Sequence, residues 1–144
     1  MKGTRSFFFS GMVGILFGLW LLSLWILSSL AGEDIQLPSF IGADKLVHFA
    51  YFSIGGFLLA WLLRMSLPWQ GWRLRCSVLL AMAVIGGLDE FHQLYTLHRS
   101  GADPFDWMAD CAGGFLGAVV IGWLYVRNRT GDMGATGKVV AQGD

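Results

Sequence analysis

Charge is scarce in this chain. Of 144 residues only 14% are charged, against 55% hydrophobic, and mean hydropathy is +0.57. Soluble globular domains carry roughly a quarter charged residues, so the composition falls on the membrane side of the usual range. There is no net charge, with ten acids balancing ten bases, and this removes the electrostatic basis for nucleic-acid binding. Cysteine is nearly absent too. Cys76 and Cys111 form no CxxC or zinc-type pattern, and both read as small packing residues. No GxSxG element exists, and Cys111 has no recognisable base beside it, so no nucleophile stands out. Internal repeats and an interdomain linker are also lacking.

What the chain has in quantity is uninterrupted apolar sequence. Phe7–Leu30 runs 24 residues without a charge, enough to cross ~30 Å of hydrocarbon. Further apolar stretches run Leu46–Leu63, Cys76–Leu88 and Cys111–Val126. The first is too long for the core of a signal peptide and reads as an uncleaved anchor. The expectation is an all-α integral membrane protein, a four-transmembrane-helix bundle with spans near 7–30, 45–65, 74–95 and 104–126. These make one domain over 1–129, followed by a disordered cytoplasmic tail over 130–144 that is rich in glycine and polar residues.

Eight of the ten basic residues (Lys2, Arg5, Arg64, Arg73, Arg75, Arg127, Arg129 and Lys138) fall at one side of such a bundle; Lys45 and Arg99 fall at the other. The excess of Lys and Arg marks the cytoplasmic side, which predicts that both termini are cytoplasmic. Eight of the ten acids lie on the opposite, outer side: Glu33, Asp34, Asp44, Asp89, Glu90, Asp103, Asp106 and Asp110. Acids contribute little to orientation, so their gathering needs another cause.

The third stretch supplies one. Its apolar run of 13 residues is too short to span and must continue through Asp89, Glu90, His92 and Gln93. At 100° per residue these four share one side of the helix, with Gly86, while Phe91, Leu94 and Tyr95 take the other. A carboxylate facing lipid at that depth would cost several kcal/mol, so the polar side must face the bundle interior or water. In span 2, Asp44, His48, Tyr51 and Gly55 follow a helical stripe. Before span 4, Asp103-Pro104-Phe105-Asp106 reads as an N-cap, a Pro at N1 and an acid at N3. Asp106, Asp110, Gly113 and Gly117 then continue along one face, and Gly113-x-x-x-Gly117 is a small-residue seam expected to sit against span 3. Span 1 has its own seam, Gly14-x-x-x-Gly18, no polar stripe and an expected packing role. The result is a polar pocket at the extracytoplasmic end of spans 2–4. Singly, each acid reads as a cap and each tyrosine as an interfacial belt residue, but Asp89 and Glu90 in mid-helix cap nothing.

Asp44-Lys45-x-x-His48-Phe49, Asp89-Glu90-x-x-Gln93, Arg99 and Asp106-x-x-x-Asp110-x-x-Gly113-x-x-x-Gly117 together resemble the VanZ-like family, in order and spacing. The resemblance implies a multi-pass protein of the bacterial cytoplasmic (inner) membrane and a link to antibiotic resistance, namely lowered susceptibility to teicoplanin-like lipoglycopeptides. Carried over, the pocket residues are Asp44, His48, Asp89, Glu90 and Asp106. Lys45, Gln93 and Arg99 are the candidate ligand contacts, and Asp89, Glu90, Asp106 and Asp110 the candidate ligands of a divalent metal. Two readings lead, and movement of protons or ions is a weaker third, because the carboxylates cluster at one face with no polar path to the cytoplasm. One is binding of a cell-envelope ligand such as a lipid-linked cell-wall precursor or a lipoglycopeptide. The other is a metal-assisted hydrolase or transferase of lipid-linked phosphate substrates. Partners are the lipid bilayer and that ligand, without nucleic acid.

Overall fold

The computed structural model describes residues 2–31, 42–97, 99 and 101–140, with side chains described within 8–127. Of the sequence expectations, those at Glu33, Asp34 and the last four residues fall outside this set. Among the described residues the chain forms four helices and no strand: α1 Lys2–Ser29, α2 Ala43–Ser66, α3 Gly71–Gln93 and α4 Pro104–Val140. Local chemistry sets the breaks. Leu67 is extended at φ −130° because Pro68 follows and disfavours the helical region at the preceding residue, which ends α2. Gly42 and Gly71 take positive φ (82° and 58°) where the chain turns into α2 and α3. Asp103 starts α4 by accepting the Phe105 N–H at 2.8 Å, just ahead of Pro104 at N1. Beyond the apolar stretch α4 continues to Val140, so no break in the helix marks the residue-129 boundary of the expected tail; Gly131, Gly134 and Gly137 make that extension intrinsically weak helix.

α2 and α4 make the most intimate pair, built on glycine. A methyl on Gly113 would overlap the Phe49 carbonyl and one on Gly117 the Phe57 N–H and Ser53 carbonyl; one on Gly56 would overlap the Gly114 backbone. Backbones that close are reached only without side chains between them. This corrects the expected partner of the Gly113/Gly117 seam, which is α2 and not α3. The facing residues Ser53, Gly56 and Ala60 of α2 are small as well, and two small faces can approach further than one. α3 joins α4 through Met82 against Gly114, and through Trp107, whose indole N–H donates to the Ala83 carbonyl at 2.8 Å.

α1 packs on α2 through Trp20, which covers Gly55, stacks on Tyr51 at 5.4 Å and meets Phe52 edge-on at 5.5 Å. The Trp20 indole donates to the Tyr51 carbonyl and the Tyr51 hydroxyl to the Trp20 carbonyl, each at 3.1 Å. Trp20 is thus core rather than a belt residue. The Gly14/Gly18 seam is not used in the same way: among the described residues no atom comes within 4 Å of a methyl built on Gly18, and only the Leu62 side chain nears Gly14, at 3.9 Å.

The molecule is apolar outside and polar within at one end. Ile15, Leu19, Leu22 and Trp25 of α1 and Leu80, Val84, Leu88 and Phe91 of α3 are exposed, while Asp89, Glu90, Gln93, Asp106 and Asp110 are buried. Among the described residues three helical stretches are long and apolar enough to cross a membrane: Phe8–Ser29, Ala43–Ser66 and Pro104–Arg127. α3 falls short in hydropathy because Arg73 and Arg75 sit at one end and Asp89, Glu90, His92 and Gln93 at the other.

Candidate functional site

The start of α2, the end of α3 and the start of α4 meet at the acidic end of the bundle, and two polar knots and a metal-competent group form there. The first knot is centred on Lys45. Its ammonium lies 2.8 Å from Asp44, 3.0 Å from Asp103 and 3.0 Å from Asp106. Three acids around one cation leave the knot net negative. Asp103, just before α4, is held below the usual aspartate range by the Phe105 N–H first and Lys45 second. Asp103 was expected only as a helix cap; its second bond, to Lys45 across 58 residues, has no sequence signal.

The second knot belongs to Asp89. Its two oxygens accept from the Ser28 hydroxyl of α1 and from Gln93 Nε2, the latter at 2.8 Å. α1 is therefore more than a packing wall: Ser28, only 1% exposed, partners the acid directly. A serine in an apolar run gives no hint of this. Close by, the Thr96 hydroxyl donates to the Ser28 carbonyl at 3.0 Å, and Trp25 stacks on His92 at 4.0 Å. Ser29, Ala31, His92, Tyr95, Thr96 and Leu97 line a hollow of about 340 Å³ at this corner.

Between the knots lie His48, Glu90, Asp106 and Asp110. Glu90 Oε2 accepts the Asp103 N–H at 2.8 Å and the Glu90 carbonyl accepts the Ala102 N–H at 3.3 Å, so one residue clasps the loop before α4. Ala102 adopts φ 61°, and Gly101 presses so closely on the Gln93–Leu94 backbone that a side chain would overlap it. His48 Nδ1 lies 3.0 Å from Asp110 Oδ1. Asp110 Oδ2 faces Gly86, where an added methyl would come within 2.7 Å, so the missing side chain at Gly86 makes room for the acid. Two buried oxygens, Glu90 Oε1 and Asp110 Oδ2, have no hydrogen-bond partner.

The structure thus brings together His48, Glu90 and Asp106, one ligand atom from each lying within 4.8 Å of the others; Asp44, Asp103 and Asp106 make a second such group. Asp44 and Lys45 adjoin them. Asp89 and Gln93 face α1 in their own knot, and Asp89 is in neither group. Tyr51 and Gly55, placed on the polar stripe of α2 by their spacing, turn to Trp20 instead. Among the described residues no hydrogen bond or ion pair ties the Arg99 side chain to the acids, and its Nε is buried without a partner.

A helical bundle with a lipid-facing apolar shell and buried acids at one end defines a membrane protein with an internal polar site. The chain belongs to the VanZ/LLP1 family, whose profile matches residues 6–125. Among curated proteins and solved structures, none matches it.

Proposed function

We propose that this protein is a four-span protein of the bacterial cytoplasmic membrane whose acidic end faces outward and binds a cell-envelope ligand, lowering susceptibility to teicoplanin-like lipoglycopeptides. The observation that carries the reading is the burial of Asp89, Glu90, Gln93, Asp106 and Asp110 at one end of a membrane bundle. Buried acids are costly in hydrocarbon and are kept where a site needs them. The eight-to-two division of Lys and Arg supports the outward orientation. The exposed apolar row Leu80, Val84, Leu88 and Phe91 supports α3 as the fourth span, in contact with lipid on one side. Beside the acids, the hollow bordered by His92, Tyr95 and Thr96 has the size of a small ligand pocket. Asp44, Lys45, His48, Asp89, Glu90, Gln93, Arg99, Asp106 and Asp110 are the residues proposed to serve the site.

The test is the teicoplanin susceptibility of bacteria expressing the chain. Wild type is expected to raise the inhibitory concentration, and Glu90→Gln at equal membrane abundance to lose that effect. Equal protection by Glu90→Gln contradicts the site; no protection by either removes the teicoplanin reading. A second reading, a metal-assisted hydrolase or transferase of lipid-linked phosphates, is favoured by one observation, the approach of His48, Glu90 and Asp106. Metal-dependent release of phosphate from such a substrate would select it.

A further inference from the structure

We propose that His48, Glu90 and Asp106 form a binding site for a divalent transition-metal ion of the zinc or manganese type, with Asp110 as its positioning residue. The proposal deepens the ligand reading above and rests on it for location alone.

Each ligand has one atom already committed and one to spare. Glu90 gives Oε2 to the Asp103 N–H and leaves Oε1 buried without a partner, in a residue 4% exposed. An unmet carboxylate oxygen at that depth is expensive unless a cation joins it. Asp106, 5% exposed, gives Oδ1 to Lys45 and keeps Oδ2. His48 engages Asp110 through Nδ1, which leaves Nε2 as the ligating nitrogen. A carboxylate behind a metal-binding histidine fixes its tautomer and ring orientation. Asp110 is itself fixed, fully buried with Oδ2 packed against Gly86.

The neighbouring group of Asp44, Asp103 and Asp106 does not compete, because Lys45 already bonds all three acids at 2.8–3.0 Å. No such ammonium reaches Glu90 among the described residues. The donor set of one imidazole and two carboxylates suits zinc or manganese better than calcium or magnesium, which favour all-oxygen shells. Three protein ligands also leave a position open for water or an anionic head group. That resolves an electrostatic difficulty, since a cluster this acidic would repel phosphate unless a cation came first.

The test uses the full chain in detergent micelles, stripped with chelator and titrated with zinc ion in competition with a chromophoric chelator. Cobalt(II) absorption then reports the ligand environment. Wild type should bind one equivalent and give visible d–d bands. Glu90→Gln and His48→Gln should each weaken binding by at least tenfold, while Leu80→Ala, on the exposed apolar face of α3, should stay within about twofold. Asp110→Asn should weaken it by about 10- to 100-fold and shift the cobalt bands, which a structural role alone would not do. A folded wild type without stoichiometric binding overturns the proposal. So does undiminished binding by Glu90→Gln, or an equal loss in Leu80→Ala. No envelope ligand is present in the titration, so this proposal and the ligand reading can fail separately.

Discussion

Asp89 and Glu90 are adjacent in sequence and equally buried, yet their hydrogen bonding differs. Both oxygens of Asp89 are engaged, by Ser28 and Gln93, whereas Glu90 holds the α4 loop with one oxygen and leaves the other unmet. A buried acid with both oxygens bonded is held in place, and one with an oxygen unmet is poised for a further partner. Ser28→Ala should therefore lower stability by about 1–3 kcal/mol, because it strands a buried Asp89 oxygen. Thermal melting in detergent measures this; an unchanged midpoint would place Ser28 outside the knot. Asp103 offers a pH test. Its folded pKa lies below the unfolded value of ~3.9. A depressed carboxyl pKa contributes stability that is present above the unfolded value and lost as pH falls through the folded one. Asp103→Asn keeps a capping side chain but removes the titration. The melting midpoint of wild type should thus fall more steeply than that of Asp103→Asn on acidification from about pH 5 towards pH 2. Parallel acid profiles would show that the Asp103 charge does not matter.

Among the elements, the α2–α4 seam is the least tolerant of bulk. Gly117→Leu should drive α2 from α4, lower the melting midpoint and disturb the polar end, since His48 and Asp110 sit on those two helices. An unaltered melting profile would mean that the seam is not formed. The helices themselves were legible in the sequence as apolar runs, because a membrane helix is specified by length and composition alone. The inward face of α3 was legible too: Gly86, Asp89, Glu90 and Gln93 share it as the helical period requires, with Leu88 and Phe91 outside. Pairings were not legible. A Gly-x-x-x-Gly stripe suggests a close contact without naming its partner: Gly113 and Gly117 meet α2 and not α3, and Gly14 and Gly18 make no close backbone contact among the described residues. Long-range partners such as Ser28 for Asp89 depend on helix rotation and depth, which no local pattern records.

For the whole molecule, orientation is the first consequence. In a background with Cys76 and Cys111 replaced by alanine, Leu97→Cys at the acidic end should be labelled by an impermeant maleimide on intact cells. Ser66→Cys, at the opposite end of α2, should be labelled only after permeabilisation. The reverse pattern would turn the protein over and place the acids inside. The central claim, that the acidic end is a ligand site and not a structural core, is tested most directly by pairing binding with stability. Wild type and Glu90→Gln in nanodiscs would be titrated with teicoplanin and with a lipid-linked cell-wall precursor, and their melting midpoints compared. Glu90→Gln keeps the side-chain shape and removes a buried charge, so its midpoint should hold or rise while affinity for the bound ligand falls at least tenfold. Undiminished binding by Glu90→Gln, or a collapsed midpoint, would contradict the account.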